Sequence, residues 1–349
     1  MHALRYGILS LLALVLAAVA PVGTTAYAQK PEISELALGF GIDPPFAIHI
    51  VAIEKGWFAD AGFTDVSTKS FTAGALAGEA LLAGEIQLWT PGNLPPISMF
   101  HNGIPVVILG TDSINTGLEK LVVRNDANVN KPEDLYNIKI GLLTGSTSGA
   151  MLGNIVKHYG LDASRIQAVN LAPPEQLASL ASGDVQAMIV WEPWVFRALN
   201  ELDVKVLHTG RVSHFEGNDG EAVQVSNNRS VFVMSQDFVR ENPNATQAII
   251  EVLVRAQKYV ADPANTAEVQ GIFSKFQDQD VEMNKAIWDN FVYDGTFDDN
   301  YIEDMEATAN FLEGAGRIKG RTHILDYTYT GPVEAVDPSL AKVKGRWQP

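Results

Sequence analysis

The sequence predicts an α/β protein of two similarly built lobes, with a small-molecule crevice where strands end. Three observations carry this. From Leu36 to Val190, apolar runs of strand length alternate with helical patterns, as in mostly parallel sheets. One passage occurs twice, as Leu82-Ala83-Gly84-Glu85-Ile86-Gln87 and as Ala181-Ser182-Gly183-Asp184-Val185-Gln186. Each joins a helix end, a glycine, an acid, a β-branched residue and Gln, then a strand ending in Trp and a Pro-containing loop. Two copies do not make a solenoid, but they fit two halves of like design. Third, Ile138 to Leu143 leads into Thr144-Gly145-Ser146-Thr147-Ser148 and then a helix with Met151, Leu152, Ile155, Val156 and Tyr159 on one face.

Taken in order, Met1 to Ala28 reads as a secretory signal. Arg5 is its charged start, Ile8 to Ala20 its apolar stretch, and Ala26-Tyr27-Ala28 a small-x-small cleavage site. The apolar stretch is too short to span a bilayer comfortably. Leu36 to Gly41 reads as the first strand. Asp43-Pro44-Pro45 opens a helix over Phe46 to Lys55, with Asp43 as its cap and Gly56 its stop. Asp65 to Phe71 is the second strand, followed by Thr72-Ala73-Gly74 and a small-residue helix. Ile86 to Trp89 is a short strand entering the rigid loop Thr90 to Pro96. Val106 to Gly110 is a buried strand that ends in Thr111-Asp112. The second half repeats the pattern: Ile166 to Leu171, a helix opened by Pro173-Pro174-Glu175, and Val185 to Val190 entering Trp191-Glu192-Pro193-Trp194. After Ser230 to Ser235 the chain turns mostly helical. The tail beyond Leu325 has little periodicity and reads as a surface wrap or a frayed end.

Composition narrows the function. With 25 Lys and Arg against 41 Asp and Glu, the net charge is −16, unsuited to nucleic acid. There is no Cys, which excludes disulfides, thiol chemistry and Cys metal sites. The histidines show no His-Glu-x-x-His spacing, so no metal is expected. No nucleophile–base pair stands out.

The hydroxyl turn fails three sharper tests. Gly149 is followed by Ala150, not by the Lys of a Walker loop. Thr147 stands where a nucleophile elbow needs Ser. No Gly-x-Gly is present. What remains is either a plain helix cap or an anion site, because a helix start carries free N–H groups and a partial positive charge.

With these pieces in view, the chain resembles the periplasmic solute-binding proteins of ABC importers, in the group that binds nitrate, sulfonates and taurine. The resemblance runs from about Leu36 to Ala261. It rests on Ala52-Ile53-Glu54-Lys55-Gly56-Trp57-Phe58, the two Gly-acid-Gln passages, Gly145-Ser146-Thr147 and Trp191-Glu192-Pro193-Trp194. It implies a type II two-lobed fold with two crossovers, residues 30–120 plus 229–349 forming lobe 1 and residues 121–228 forming lobe 2. It also implies a non-enzymatic, monomeric periplasmic protein without cofactor, which closes on a small ligand and delivers it to a membrane permease.

On that picture Thr72, Ala73 and Gly74 present one helix start and Thr144, Ser146 and Thr147 another. Asp43, Phe46, Thr90, Gly92, Asn93 and Asp112 follow strands of lobe 1. Trp191, Glu192 and Trp194 follow a strand of lobe 2, and Asn227 lies near the return crossover. Each has a plainer reading: Phe46 and Trp194 as core, Asp43 as a cap, Glu192 bound to a helix start, His49 as a packed histidine, and Arg197 and Arg229 as surface salt bridges. The acids Asp43, Asp112 and Glu192 favour a ligand that also carries an amine. Nitrate, bicarbonate or a thiamine-type pyrimidine are the alternatives. An enzyme on the same fold is disfavoured for want of Cys, and a sensor that presents its ligand to a receptor is not separable by sequence.

Overall fold

Ten strands among the described residues form two five-stranded sheets. In chain order they are β1 (Glu35–Gly41), β2 (Asp65–Phe71), β3 (Leu88–Thr90), β4 (Val106–Ile114), β5 (Glu119–Arg124), β6 (Lys139–Leu142), β7 (Gln167–Asn170), β8 (Ala187–Trp191), β9 (Val204–Thr209) and β10 (Arg229–Ser235). The structure is a computed structural model that describes residues 29–349. The signal expected over 1–28 lies outside the described residues.

The first sheet has the order β2-β1-β3-β10-β4 and the second β7-β6-β8-β5-β9. In each, two neighbouring pairs are parallel and two antiparallel. The sheets are therefore mixed, not mostly parallel as the strand–helix alternation implied. The physical reason is local. β5 and β10 each begin straight after the chain has changed sheets, so no crossover helix sets their direction.

The chain passes between the sheets twice, over residues 115–118 and 210–228. The passages lie side by side. Asn115 N–H donates to Asn228 O at 2.8 Å, and Arg211 Nε–H donates to Thr116 Oγ1. A Cβ on Gly210 would stand 1.8 Å from Thr116 O, so only glycine lets the two segments approach this closely.

The repeated passages behave as read. Helix Pro173–Ser182 starts on two prolines, with Glu175 accepting from Ala172 N–H at 2.9 Å. It ends at Gly183, whose φ of 86° is the left-handed conformation that glycine tolerates best. Helix Thr147–His158 buries Met151, Leu152, Ile155 and Val156 against Ile140, Ala187 and Ile189, at the helical spacing read from sequence. The third portion is helical as expected, with Pro243–Ala261 the longest element. The tail does not fray. Tyr327 stacks on Phe100 with ring centroids 4.1 Å apart, and Tyr329 N–H donates to Ile108 O at 2.8 Å. Among the described residues no helix is long and apolar enough to cross a membrane.

Candidate functional site

Strands β1, β3, β6 and β8 all end toward the junction of the two sheets, and a cavity of about 40 Å³ lies there. This is room for a few water-sized groups, since one water needs roughly 10–15 Å³. Its wall draws on both sheets. Asp43, Phe46, Ala73 and Gly92 come from loops after strands of the first, and Ser146, Thr147 and Trp191 from the second. These seven were legible in the sequence. Pro95, Asn115, Leu118, Asn228 and Ser230 also line it and were not.

The other expected residues lie around the cavity without lining it. Thr72 is exposed, and Gly74 opens a short 3-10 turn. Thr90 is buried with its hydroxyl 2.9 Å from His49 Nε2. Asn93 donates to Asn227 O at 2.9 Å and to Thr308 Oγ1 at 3.0 Å. Asn227 turns to Asp304 at 3.1 Å, and its neighbour Asn228 takes the cavity wall. Asp112 is buried and accepts from Ser113 Oγ at 3.0 Å. Trp194 is buried, with Arg197 over its ring at 5.0 Å.

Four local readings are corrected. Asp43 makes no side-chain cap bond, because its carboxyl turns to the cavity and the prolines have no N–H to offer it. Glu192 is committed on both oxygens, to Lys120 Nζ at 2.7 Å and to Phe196 N–H at 2.8 Å. Arg229 is no surface salt bridge. It is buried and donates to Asp304 Oδ2 from Nη2 at 3.0 Å and Nε at 3.3 Å, with Thr111 Oγ1 a further acceptor. The fourth correction concerns the hydroxyl turn. None of its hydroxyls is spare. Thr144 Oγ1 donates to Asn170 Oδ1 at 2.7 Å and Ser146 Oγ to Leu143 O at 2.8 Å. Thr147 Oγ1 and Ser148 Oγ both donate to Glu119 Oε1.

The backbone of that turn supplies the donors instead. Ser146 is the N-cap, accepting from Ser148 N–H, while Ser146 N–H is used by Leu143 O. Among the described residues, Gly145 and Thr147 N–H have no internal acceptor. Thr147 is the first residue of the helix and lines the cavity, where the helix dipole favours negative charge. Ala73 also lines the cavity, but the helix it precedes, Gly78–Leu82, is short and gives a weaker dipole.

Electrostatically the cavity is acidic. Burial pushes Asp43 up to about 7, with a further rise from nearby Glu119 and some relief from its own backbone N–H. Burial also pushes Glu119 up to about 7, against the hydroxyls of Thr147, Ser226 and Ser148, which favour its charged form. Asp112 stands well above the usual carboxylate range, through burial first and then Asp43. His49 is the packed histidine, among Phe40, Phe46 and Phe232, and burial pushes it down to about 3.

Gly92 marks where the two halves touch. A Cβ there would stand 3.0 Å from Asn228 Oδ1 and 3.3 Å from Thr147 Cγ2.

Comparison with known proteins supplies the context. A family model described as the NMT1-like family matches residues 29–274. The taurine-binding periplasmic protein of Escherichia coli strain K12 is 30% identical over 216 residues, 61% of this chain and 63% of that protein. A putative aliphatic sulfonates-binding protein of the same strain is 27% identical over 203 residues, 58% of this chain and 63% of that protein. The matched regions thus cover under two thirds of these relatives' length. Among solved structures, the alkanesulfonate-binding protein SsuA of Xanthomonas axonopodis pv. citri, bound to MOPS, superposes with a TM-score of 0.72 at 18% identity, covering 86% of this chain and 99% of that one. The desulfurization enzyme DSZB shares the fold with a TM-score of 0.62 at 16% identity, covering 87% and 99%.

Proposed function

The chain belongs to the NMT1-like family, and from that premise we propose that it is the substrate-binding component of an ABC importer. It captures a small organic anion or zwitterion of the sulfonate or taurine type. Residues 30–120 with 229–349 act as one lobe and 121–228 as the other, and they close on the ligand by hinge motion at the paired crossovers. The protein works as a monomer in the periplasm after loss of its leader, hands its ligand to a permease, and is not an enzyme.

One observation carries this reading: the start of helix Thr147–His158 faces the cavity between the sheets with the N–H groups of Gly145 and Thr147 free of internal acceptors. Glu119 beneath the turn does not forbid an anion. A carboxyl raised to about 7 is partly protonated at neutral pH, and a nearby anion favours its neutral form further. The small volume supports nitrate as a second reading.

Calorimetric titration with taurine, ethanesulfonate, nitrate and thiamine tests the reading. Saturable binding of a sulfonate is expected. Binding of nitrate or thiamine alone, with no response to either sulfonate, would overturn it.

A further inference from the structure

Away from the cavity the two halves meet again, through helix Asp299–Gly314. Asp304, Thr308 and Phe311 follow one another at i, i+4 and i+7, which puts them on one face of that helix. Arg229, just after the return crossover, donates from Nη2 to Asp304 Oδ2 at 3.0 Å, and Asn93 Nδ2 donates to Thr308 Oγ1 at 3.0 Å. These bonds tie the helix to the first sheet. Phe311, one turn on, reaches the second. A Cβ on Gly153 of helix Thr147–His158 would stand 2.4 Å from Phe311 Cε2 and 3.0 Å from its Cδ2, so the ring rests directly on the glycine backbone.

The end of the same helix adds a second tie. Gly316 has a φ of 67°, its N–H donates to Glu313 O at 2.9 Å, and Arg317 N–H donates to Leu312 O at 2.8 Å, a glycine-closed helix end. From there Arg317 Nη1 donates to Thr144 O at 2.7 Å, on the turn that opens helix Thr147–His158.

This is a touch between two bodies and not a shared core. Phe311 packs with the larger apolar cluster, whereas Leu152 and Val156, on the helix of Gly153, belong to the smaller one. An open groove of about 730 Å³ borders both helices, lined by Leu152, Val156 and Ile166 from one half and Ala307, Phe311 and Ala315 from the other. A packed interior leaves no such space. Gly153, Phe311 and Arg317 line no part of the cavity and lie outside both crossovers. Their contact must therefore part when the lobes swing open and form again when they close.

We infer that Phe311 on Gly153, with Arg317 on Thr144, is a latch that holds the lobes closed in the ligand-free protein, so that helix Asp299–Gly314 sets ligand affinity without touching the ligand. This rests on the proposed lobes and their hinge, not on the identity of the ligand. Arg317 is exposed, so its bond competes with water and the apolar contact of Phe311 carries the latch. Apparent affinity scales with the fraction of protein in the binding-competent form, so a latch that raises this fraction tightens every ligand alike.

The test uses two variants of the intact protein. Phe311→Ala removes the ring, and Gly153→Leu drives a side chain into it while favouring the helix over glycine. Melting temperatures verify folding. By X-ray scattering the unaltered protein should have the same radius of gyration with and without saturating taurine. Both variants should be larger when free and should return to the unaltered value with taurine. By calorimetry their affinities for taurine and for ethanesulfonate should fall by a common factor, about three- to tenfold. Free variants no larger than the free unaltered protein would overturn the latch. So would an unaltered protein that contracts on adding taurine, or a loss confined to one of the two ligands. If neither sulfonate binds, the proposed substrate class fails, while the comparison of the free proteins still decides the latch.

Discussion

Asp43 lines the cavity and Glu119 lies behind the turn that lines it; both are buried, and both are pushed up to about 7. Yet Glu119 gathers the hydroxyls of Thr147, Ser148 and Ser226, whereas Asp43 has only its own backbone N–H. Burial alone therefore does not mark a ligand contact. A buried acid whose hydrogen bonds are complete is part of the scaffold, and here it holds a helix start in place. A buried acid that is open belongs to whatever enters the cavity. The comparison also divides labour between the sheets: the second presents backbone donors on a braced turn, and the first presents the Asp43 carboxyl.

The largest expected effect comes from breaking the completed side. Glu119→Ala leaves three buried hydroxyls without an acceptor and opens a void, and should cost about 3 kcal/mol of unfolding free energy in urea titration. A loss below about 1 kcal/mol would mean the brace is not structural. Asp43→Ala, by contrast, should cost little.

Next is the claim that backbone N–H groups, not hydroxyls, meet the anion. Thr147 is the first helical residue and follows an extended Ser146 (φ −115°, ψ 177°), a setting that accepts proline. Thr147→Ala and Thr147→Pro both lose the hydroxyl, but only proline loses the N–H. Proline should bind the ligand more weakly than alanine by about 1.5–3 kcal/mol, read by calorimetry. Equal affinities would remove the helix start from the site.

A third prediction uses pH. In the folded protein Asp43 holds its proton to about 7, whereas its ordinary value is 3.8. Between these values the folded state binds the extra proton, so its stability falls as pH rises, by up to ~1.4 kcal/mol per unit, and levels off above about 7. Glu119 adds a slope of the same sign. Glu32, Asp134 and Asp337 are lowered and act in the opposite sense at more acid pH. The decisive quantity is thus the difference between the protein and Asp43→Asn, measured without ligand from pH 4 to 8. The protein should lose stability relative to Asp43→Asn steadily up to about pH 7, and a flat difference would show that Asp43 is not protonated in the fold.

The smallest effect is local. Ser146→Ala removes the N-cap bond and should cost ~1 kcal/mol of stability. Ligand affinity should stay within about threefold, because that hydroxyl is bound to Leu143 O and not to the cavity. A large affinity loss would return the hydroxyls to the site.

Much of this was legible in the sequence because the signals are local. Ser146 as N-cap, Gly183 as helix stop and Trp191 at a strand end all follow from residues within one or two turns of one another. What escaped depends on contacts between distant segments. Glu119 meets Ser226 across 107 positions, and Arg229 meets Asp304 across 75. No periodicity carries such pairs, so the turn's hydroxyls seemed free and Arg229 seemed exposed. Asn228 was missed by one position for Asn227. The crossovers that hold Asn115 and Asn228 are irregular, and facing there is set by how two segments lie together.

Gly92 turns the contact between the halves into something adjustable. Any side chain here would force Asn228 and Thr147 to give by a few tenths of an ångström. A methyl group at this position would act as a shim. Gly92→Ala and Gly92→Ser would press on Thr147 and Asn228 and so hold the proposed lobes apart, while leaving Asp43 in place. Such a graded set would separate two costs that affinity always reports together: gripping the ligand, and bringing the jaws to it.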